Sequence, residues 1–233
     1  MTDAQTKTRV ARPKKERSQR AEGERIRDAE RTRAELLAVA TEVFAEEGYT
    51  GARVDDIADR TSTTKRMIYY YFGGKEQLYL AVLEEAYRGI RAAERTLDVS
   101  GLDPIEAVRR IAEVTFDHHV EHEAFIRLVA IENTHRGRFI RQIESLRELG
   151  RPAVDLLDGI LARGRGAGEF RSDIDAFDVH LMISSYCVFQ IANQHTFGYL
   201  FEHPLSEPAT RRRLRGMLGD IVVSWLTDTA AQA

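Results

Sequence analysis

Lys65 and Arg66 open a short helical pattern, and the residues around them are of the kinds that grip an anion or read a base edge. A guanidinium can donate in a fork to guanine O6 and N7, and an ammonium can donate to the same atoms. Met67 offers an apolar contact for a thymine methyl. Thr63 and Thr64 carry short hydroxyls able to reach phosphate or base edges. Tyr69 and Tyr70 put phenolic hydroxyls where a phosphate backbone would cross. Lys75 begins the next helical pattern, where free N–H groups also favour an anion. Taken singly, each of these reads more simply as a solvated or packed side chain. In order, over residues 54–79, they describe two short helices joined by Thr61-Ser62-Thr63-Thr64. That arrangement suits a helix-turn-helix whose second helix enters a DNA major groove.

Positioning those side chains needs a scaffold, and the apolar periodicity supplies one. Leu36, Leu37, Ala40, Val43 and Phe44 share a helical stripe that Gly48 ends. Val54, Ile57 and Ala58 make a very short second stripe. The third helix is expected over Lys65 to Phe72, capped by Thr64, with Ile68 and either Tyr71 or Phe72 inward and Gly73-Gly74 as its stop. A fourth runs from Lys75 to Leu97, with Leu78, Val82, Leu83 and Ala86 inward. Pro104 suits a first helical position. Further helices are expected over 104–121, 123–143 with a break at Gly137, 145–167, 174–201 and 207–228. No run alternates as a strand does, so the fold class is all-α.

Composition narrows the function classes. The 233 residues are 43% hydrophobic, enough to bury a core. One cysteine, Cys187, excludes an intrachain disulfide framework and a cysteine zinc cluster, and a reducing, cytoplasmic setting follows. No apolar run reaches transmembrane length, and the basic N-terminus lacks the apolar region of a secretory leader, so no membrane partner is expected. The formal charge of −3 is unevenly spread: residues 1–33 hold eleven Lys or Arg against six Asp or Glu, a net +5, leaving −8 for the remainder. A basic end on an acidic body is the asymmetry expected where one end meets a polyanion.

The ordered string ALLAVATEVFAEEGY, VDDIADRT and IYYYFGGKEQLY resembles the DNA-binding domain of the TetR family of transcriptional regulators. The resemblance covers about fifty residues, 34–83. It implies an N-terminal three-helix helix-turn-helix domain followed by a helical ligand-binding and dimerisation domain. The expected organisation is a disordered basic arm over 1–26, the DNA-binding domain over 27–74 and the effector and dimerisation domain over 75–233. It implies that Lys65, Arg66 and Met67 face bases, that Tyr69, Tyr70 and Lys75 contact phosphates, and that Ile68, Tyr71 and Phe72 are core. The family often places Thr or Ser before the valine of the second helix as cap and phosphate contact. Here Gly51-Ala52-Arg53-Val54 stands instead, so Arg53 or Thr50 takes the phosphate contact. The implied function is a ligand-responsive regulator, a repressor released from a palindromic DNA operator by a small molecule, with an activator as the alternative. The implied assembly is a homodimer through the last two helices, where 176–200 and Ile221, Val222, Trp225 and Leu226 carry apolar residues on several faces.

In the second half, the candidates for a small-molecule pocket are polar or aromatic side chains inside apolar stripes: Phe116, His119, Phe125, Leu128, Ile131, Glu132, His135, Phe189 and Asn193. Simple core packing is the competing account for each. His118 and His122 stand four apart, so one helix face presents both, and a third metal ligand would come from His180 or His195. Flanking acids make a solvated face the simpler reading, and neither a metal nor any other cofactor is expected. No GxSxG, Walker or GxGxxG motif occurs, Gly164-Arg165-Gly166 follows no strand, and Cys187 lies in an apolar run, so catalysis is not expected. A metal-using helical enzyme and a sequence-independent architectural DNA binder are the competing classes.

Overall fold

A computed structural model describes residues 14–228, which form ten α-helices and one 3₁₀ turn. The helices are α1 (Lys14–Gly51), α2 (Val54–Arg60), α3 (Lys65–Phe72), α4 (Lys75–Arg95), α5 (Pro104–Glu121), α6 (Glu123–Thr134), α7 (Ser145–Gly166), α8 (Ala176–Ala192), α9 (Gln194–Leu200) and α10 (Pro208–Thr227). The 3₁₀ turn, Ile140–Gln142, lies between α6 and α7. Among the described residues no helix is long and apolar enough to cross a membrane.

Three differences from the expected spans have local causes. First, α1 starts at Lys14, inside the segment read as a disordered arm, while residues 1–13 lie outside the described residues. The segment lacks an apolar stripe, but it is rich in Lys, Arg, Glu, Gln and Ala, which cost little to add to a helix already docked further along. Second, the helix expected over 174–201 divides into α8 and α9 at Asn193, whose side-chain amide donates to Phe189 O at 2.9 Å. Local side chain–backbone bonds of this kind compete with helix continuation. Third, α6 ends at Thr134, ahead of the expected break, because Arg136 and Gly137 both take positive φ (58° and 67°). Gly48 (φ 70°, ψ 174°) breaks α1 where the sequence placed its stop.

The N-terminal core gathers Leu36, Val43 and Phe44 of α1, Ile57 of α2, Ile68 and Phe72 of α3, and Leu78 and Val82 of α4. Ala52, 1% exposed, packs there too. The cap position before α2 therefore falls to Arg53, which makes no side-chain cap bond. A second core is built by α5, α7, α8 and α10 around Val108, Phe116, Leu157, Leu161, Val179, Ile183, Leu218 and Val222. Arg109–Asp220 (2.7 Å), Arg215–Glu113 (3.0 Å) and Arg215–Asp117 (2.9 Å) clamp α5 to α10. Asp103 caps α5 by accepting from Glu106 N at 3.0 Å, with Pro104 in the first turn as its fixed φ favours.

Two elements join the cores. One is α4, whose 21 residues at about 1.5 Å each span roughly 30 Å. The other is α6 with the turn that follows it. Leu128 and Phe139 are sealed into the N-terminal core, and Phe139 stacks against Tyr49 and Tyr79 at 4.3 and 5.1 Å. Beside them Glu132, 3% exposed, accepts from Tyr79 Oη (3.0 Å), Phe139 N (3.1 Å) and Ile140 N (3.0 Å). Burial first, then the charge of Glu132, pushes the Tyr79 phenol above its ordinary pKa, so it remains the donor.

Replacing Glu132 by Ala strands one buried hydroxyl and two backbone N–H groups. It should cost about 2–4 kcal/mol in urea unfolding, against about 1–2 kcal/mol for Tyr79→Phe, which leaves the two backbone bonds intact. Equal losses in the two variants would show that the backbone bonds to Glu132 contribute nothing.

Candidate functional site

The turn between α2 and α3 is closed by its threonines. Thr61 Oγ1 donates to Ile57 O (2.9 Å) and lies within 2.9 Å of Thr63 Oγ1. Ser62 takes φ 53° at the bend, and Thr63 N returns to Ala58 O. Thr64 holds the N-cap position of α3, but its side chain makes no cap bond, contrary to expectation. The threonine pair 61 and 63 already fixes the turn, and the Thr64 hydroxyl is left on the exposed side.

Spacing of the α3 residues then sorts its faces. Ile68 (0% exposed) and Phe72 (8%) point into the core, and Tyr71 is half-buried. Lys65, Arg66, Tyr69 and Tyr70 lie exposed on the other side, with Met67 half-buried between. Gly73, in the left-handed region at φ 84°, ends the helix by donating to Tyr69 O at 2.8 Å. Lys65 Nζ lies 3.0 and 3.1 Å from the two carboxylate oxygens of Asp55 at the start of α2. Arg66 has no partner among the described residues. Lys75, at the first position of α4, is held by Thr50 O (3.4 Å) and sits 4.8 Å from the Tyr49 ring centroid. Burial lowers its pKa, opposed by Glu47. Thr50 and Arg53 are exposed on the same flank. Nine of the ten residues singled out as DNA contacts thus belong to the turn, α3 and the two adjoining helix starts, and Thr50 lies in the last turn of α1.

Further along α4, a polar group is buried where its far half meets α5, α7 and α8. Arg91 pairs with Glu94 at 2.5 Å, with side chains only 13% and 10% exposed. Thr115 and His119 of α5 are buried and His180 of α8 half-buried. Burial lowers the pKa of His119 and His180, and the Arg91 charge adds to this. Glu94 is raised by burial despite its partner. A 220 Å³ cavity beside Arg91 and Glu94 is walled by Leu97, Pro152, Ala153 and Leu156. Isolated buried ion pairs lose more hydration than they regain unless other contacts compensate. A polar cluster bordering an apolar cavity is the arrangement that orients a small molecule.

Residues 36–82 match the family described as bacterial regulatory proteins, tetR family, and residues 104–222 match the tetracyclin repressor-like C-terminal domain. The transcriptional repressor NicS of Pseudomonas putida is 36% identical over 207 residues, covering 89% of this chain and 98% of that protein. The chain belongs to the TetR family. Two solved structures share its fold: a tetR-family regulatory protein from Rhodococcus RHA1 (TM-score 0.66, 18% identity, 84% of this chain and 96% of that one) and Bacillus subtilis FadR in complex with stearoyl-CoA (TM-score 0.63, 20% identity, 83% and 98%).

In this TetR-family chain the nine residues expected to line a pocket do not converge. Phe116 is sealed in the second core, and Leu128 in the N-terminal one. Glu132 is consumed by the tie to Tyr79, Ile131 is half-buried beside it, and His135 is exposed. Phe189 is 50% exposed on α8, and Asn193 bonds back to it. His119 belongs to the buried polar group, and Phe125 lines a separate cleft between α1, α4 and the α5–α6 junction. Of this buried group, Arg91 and Glu94 were not singled out from the sequence, and His180 was considered only as a possible metal ligand. The first two stand three apart, the spacing of an ordinary solvated helix pair, and only their neighbours Ile90 and Leu97 hint at burial.

His118 and His122 do share a face, stacked with centroids 4.1 Å apart. Among the described residues no group of three or more His, Cys, Asp or Glu is placed to hold a metal. Cys187 is fully buried, and burial pushes its thiol up to about 12, which removes it from thiolate chemistry.

Burial, with His122 and His119 beside it, pushes His118 down to about 4. Below its ordinary value of 6.5 the unfolded chain therefore protonates first. Stability is full above that value, falls as pH drops through the interval, and levels off below about 4. His118→Gln should flatten this fall by up to about 1.4 kcal/mol per pH unit, read from urea midpoints across the interval. A variant profile parallel to the parent's would contradict the assignment.

Proposed function

We propose that this TetR-family regulator is a homodimeric repressor that reads a near-palindromic operator with α3 and is released by a small molecule held in its second domain. The observation that carries the reading is the division of α3: Ile68 and Phe72 fix one face, and Lys65, Arg66, Tyr69 and Tyr70 lie exposed on the other. Arg66, unpaired and forked, is the base reader, while Lys75, pinned against Tyr49, is a phosphate anchor. Naming of the relative NicS as a repressor supports the sign of regulation.

The effector site we assign is the polar group of Arg91, Glu94, His119 and His180 with its adjoining cavity. Its Arg91 and Glu94 lie on the same helix as Lys75. An effector that favours the DNA-incompetent arrangement by about 1–3 kcal/mol would change operator affinity roughly 5–150-fold.

Dimerisation is supported by an exposed apolar stripe. Phe177, Leu181 and Phe189 of α8 are 58%, 52% and 50% exposed, and Met217 and Ile221 of α10 add to them. A contiguous patch of this kind on a helical surface calls for a protein partner. A second copy of the chain, related by a twofold axis, would also present two reading helices to two half-sites.

Arg66→Ala should relax base preference at one operator position by about 1–3 kcal/mol, whereas Lys75→Ala should weaken all sequences alike and lower the salt slope by about one. Fluorescence anisotropy with operator and scrambled DNA over a salt series separates the two, and equal loss of specificity in both would refute the division of roles. Leu181→Lys should shift sedimentation from dimer to monomer while leaving far-UV circular dichroism unchanged. A variant that stays dimeric would place the interface elsewhere.

A further inference from the structure

A second cleft lies apart from the one assigned to the effector. It measures about 590 Å³ and opens where α1, α4 and the α5–α6 junction meet. Its wall carries Glu42 of α1, Glu85 of α4 and Glu121 of α5, three carboxylates with no ion-pair partner among the described residues. The single lining cation, Arg127, lies 3.9 Å from Glu123, which also accepts from Arg211 at 2.7 Å. The cleft is thus net acidic, and its acids come from three helices of both domains.

Acids alone would make only a solvated face. A second feature lies at the cleft's inner end. His118 is 7% exposed and borders the cavity, its Cε1 against the Cα-only position of Gly89 at 3.9 Å from where a Cβ would stand. Neither of its ring nitrogens has a hydrogen-bond partner among the described residues. It is not one of the sealed unpartnered groups, which are Arg165 Nε, Glu169 Oε2 and Gln190 Nε2. A buried imidazole, stacked on His122 but without a hydrogen-bond partner, therefore borders the space between the carboxylates. Phe125 supplies an apolar and aromatic wall beside it.

We infer that this cleft binds a small organic cation, an ammonium joined to an apolar or aromatic body, with Glu42 and Glu85 receiving the charge, His118 accepting an N–H and Phe125 packing the body. The lack of any metal-ready trio among the described residues separates this from a divalent-ion site. Since burial keeps His118 neutral, it retains a lone pair to offer the ligand. The occupant would touch α1 and α4 of the N-terminal domain and the α5–α6 junction at once, so it would bias their relative setting independently of the Arg91 cavity. Only that last consequence rests on the regulator reading; binding itself does not.

The probe is benzylammonium, titrated calorimetrically into the full-length protein at low salt without DNA, with benzyl alcohol as its neutral counterpart. Benzylammonium should bind at least about tenfold tighter than the alcohol, since two charge pairs each add a few-fold. Glu42→Gln with Glu85→Gln, both at exposed positions, should abolish that preference and leave the alcohol unchanged. His118→Phe should weaken benzylammonium alone. Equal binding of the two probes, a preference that survives the double variant, or no heat from benzylammonium would each overturn the proposal. A protein that binds the cation but no operator DNA would instead refute the regulator reading and leave the site standing.

Discussion

One buried carboxylate sets how the two halves of this molecule meet. Among the described residues Glu132 has no ion-pair partner. Its compensation is three donors: the Tyr79 hydroxyl and the backbone N–H groups of Phe139 and Ile140. A charge buried without such partners would be costly, and removing any one donor leaves the remainder to carry it. The bonds therefore act together, and they come from α4 on one side and from the turn after α6 on the other. Phe139, held by the same network, is pressed between Tyr49 and Tyr79. The setting of α6 against the N-terminal domain is thus discrete, a pairing that is either made or lost.

That discreteness matters because α4 passes through both regions. Its first residue, Lys75, lies against Tyr49, its fifth, Tyr79, is the donor to Glu132, and its far turns hold Arg91 and Glu94. A helix transmits a displacement along its axis with little loss, whereas packed cores resist small distortions and yield by switching arrangement. A small change beside Arg91 can therefore reach Lys75 if it moves α4 as a unit, and Glu132 decides whether α6 moves with it. The buried Arg91–Glu94 pair fits this role, because a pair poorly compensated by its surroundings is one that a ligand's own polar groups can complete.

The fold and the reading helix were legible in the sequence, since both rest on short-range pattern. Apolar spacing and glycine stops gave α3 to α5, α7 and α10 to within about two residues, and the inward Ile68 followed from the same period, which left Tyr71 or Phe72 open as its companion. The cavity proposed for an effector was not legible, for a physical reason. Periodicity says which face of a helix is apolar and is silent on what packs against it. Leu128 and Glu132 sit on a buried face of α6, as expected, but that face meets α1 and α4 instead of a cavity. Phe189 continues an apolar stripe on α8 that turns outward. Arg91 and Glu94 resemble a surface pair until the packing of α7 and α8 encloses them. The start of α1 was missed for the opposite reason: a helix can extend from a docked segment with no apolar residues to announce it.

The ion pairs around α3 also rank its two basic residues. Lys65 already has a carboxylate, Asp55, within 3.1 Å in the free protein. On approaching a phosphate or a guanine it exchanges one acceptor for another, and Asp55 is left facing the polyanion. Its net contribution to affinity is the small difference between two similar interactions in water-exposed surroundings, where such pairs are weak. Arg66 gives up only water, and its fork meets guanine O6 and N7 in a geometry that an ammonium cannot reproduce. Although the two stand side by side in the sequence, base discrimination should therefore rest mainly on Arg66. On the proposed reading, Asp55 would act as a brake on indiscriminate phosphate binding, because Lys65 already has an acceptor that any phosphate must displace.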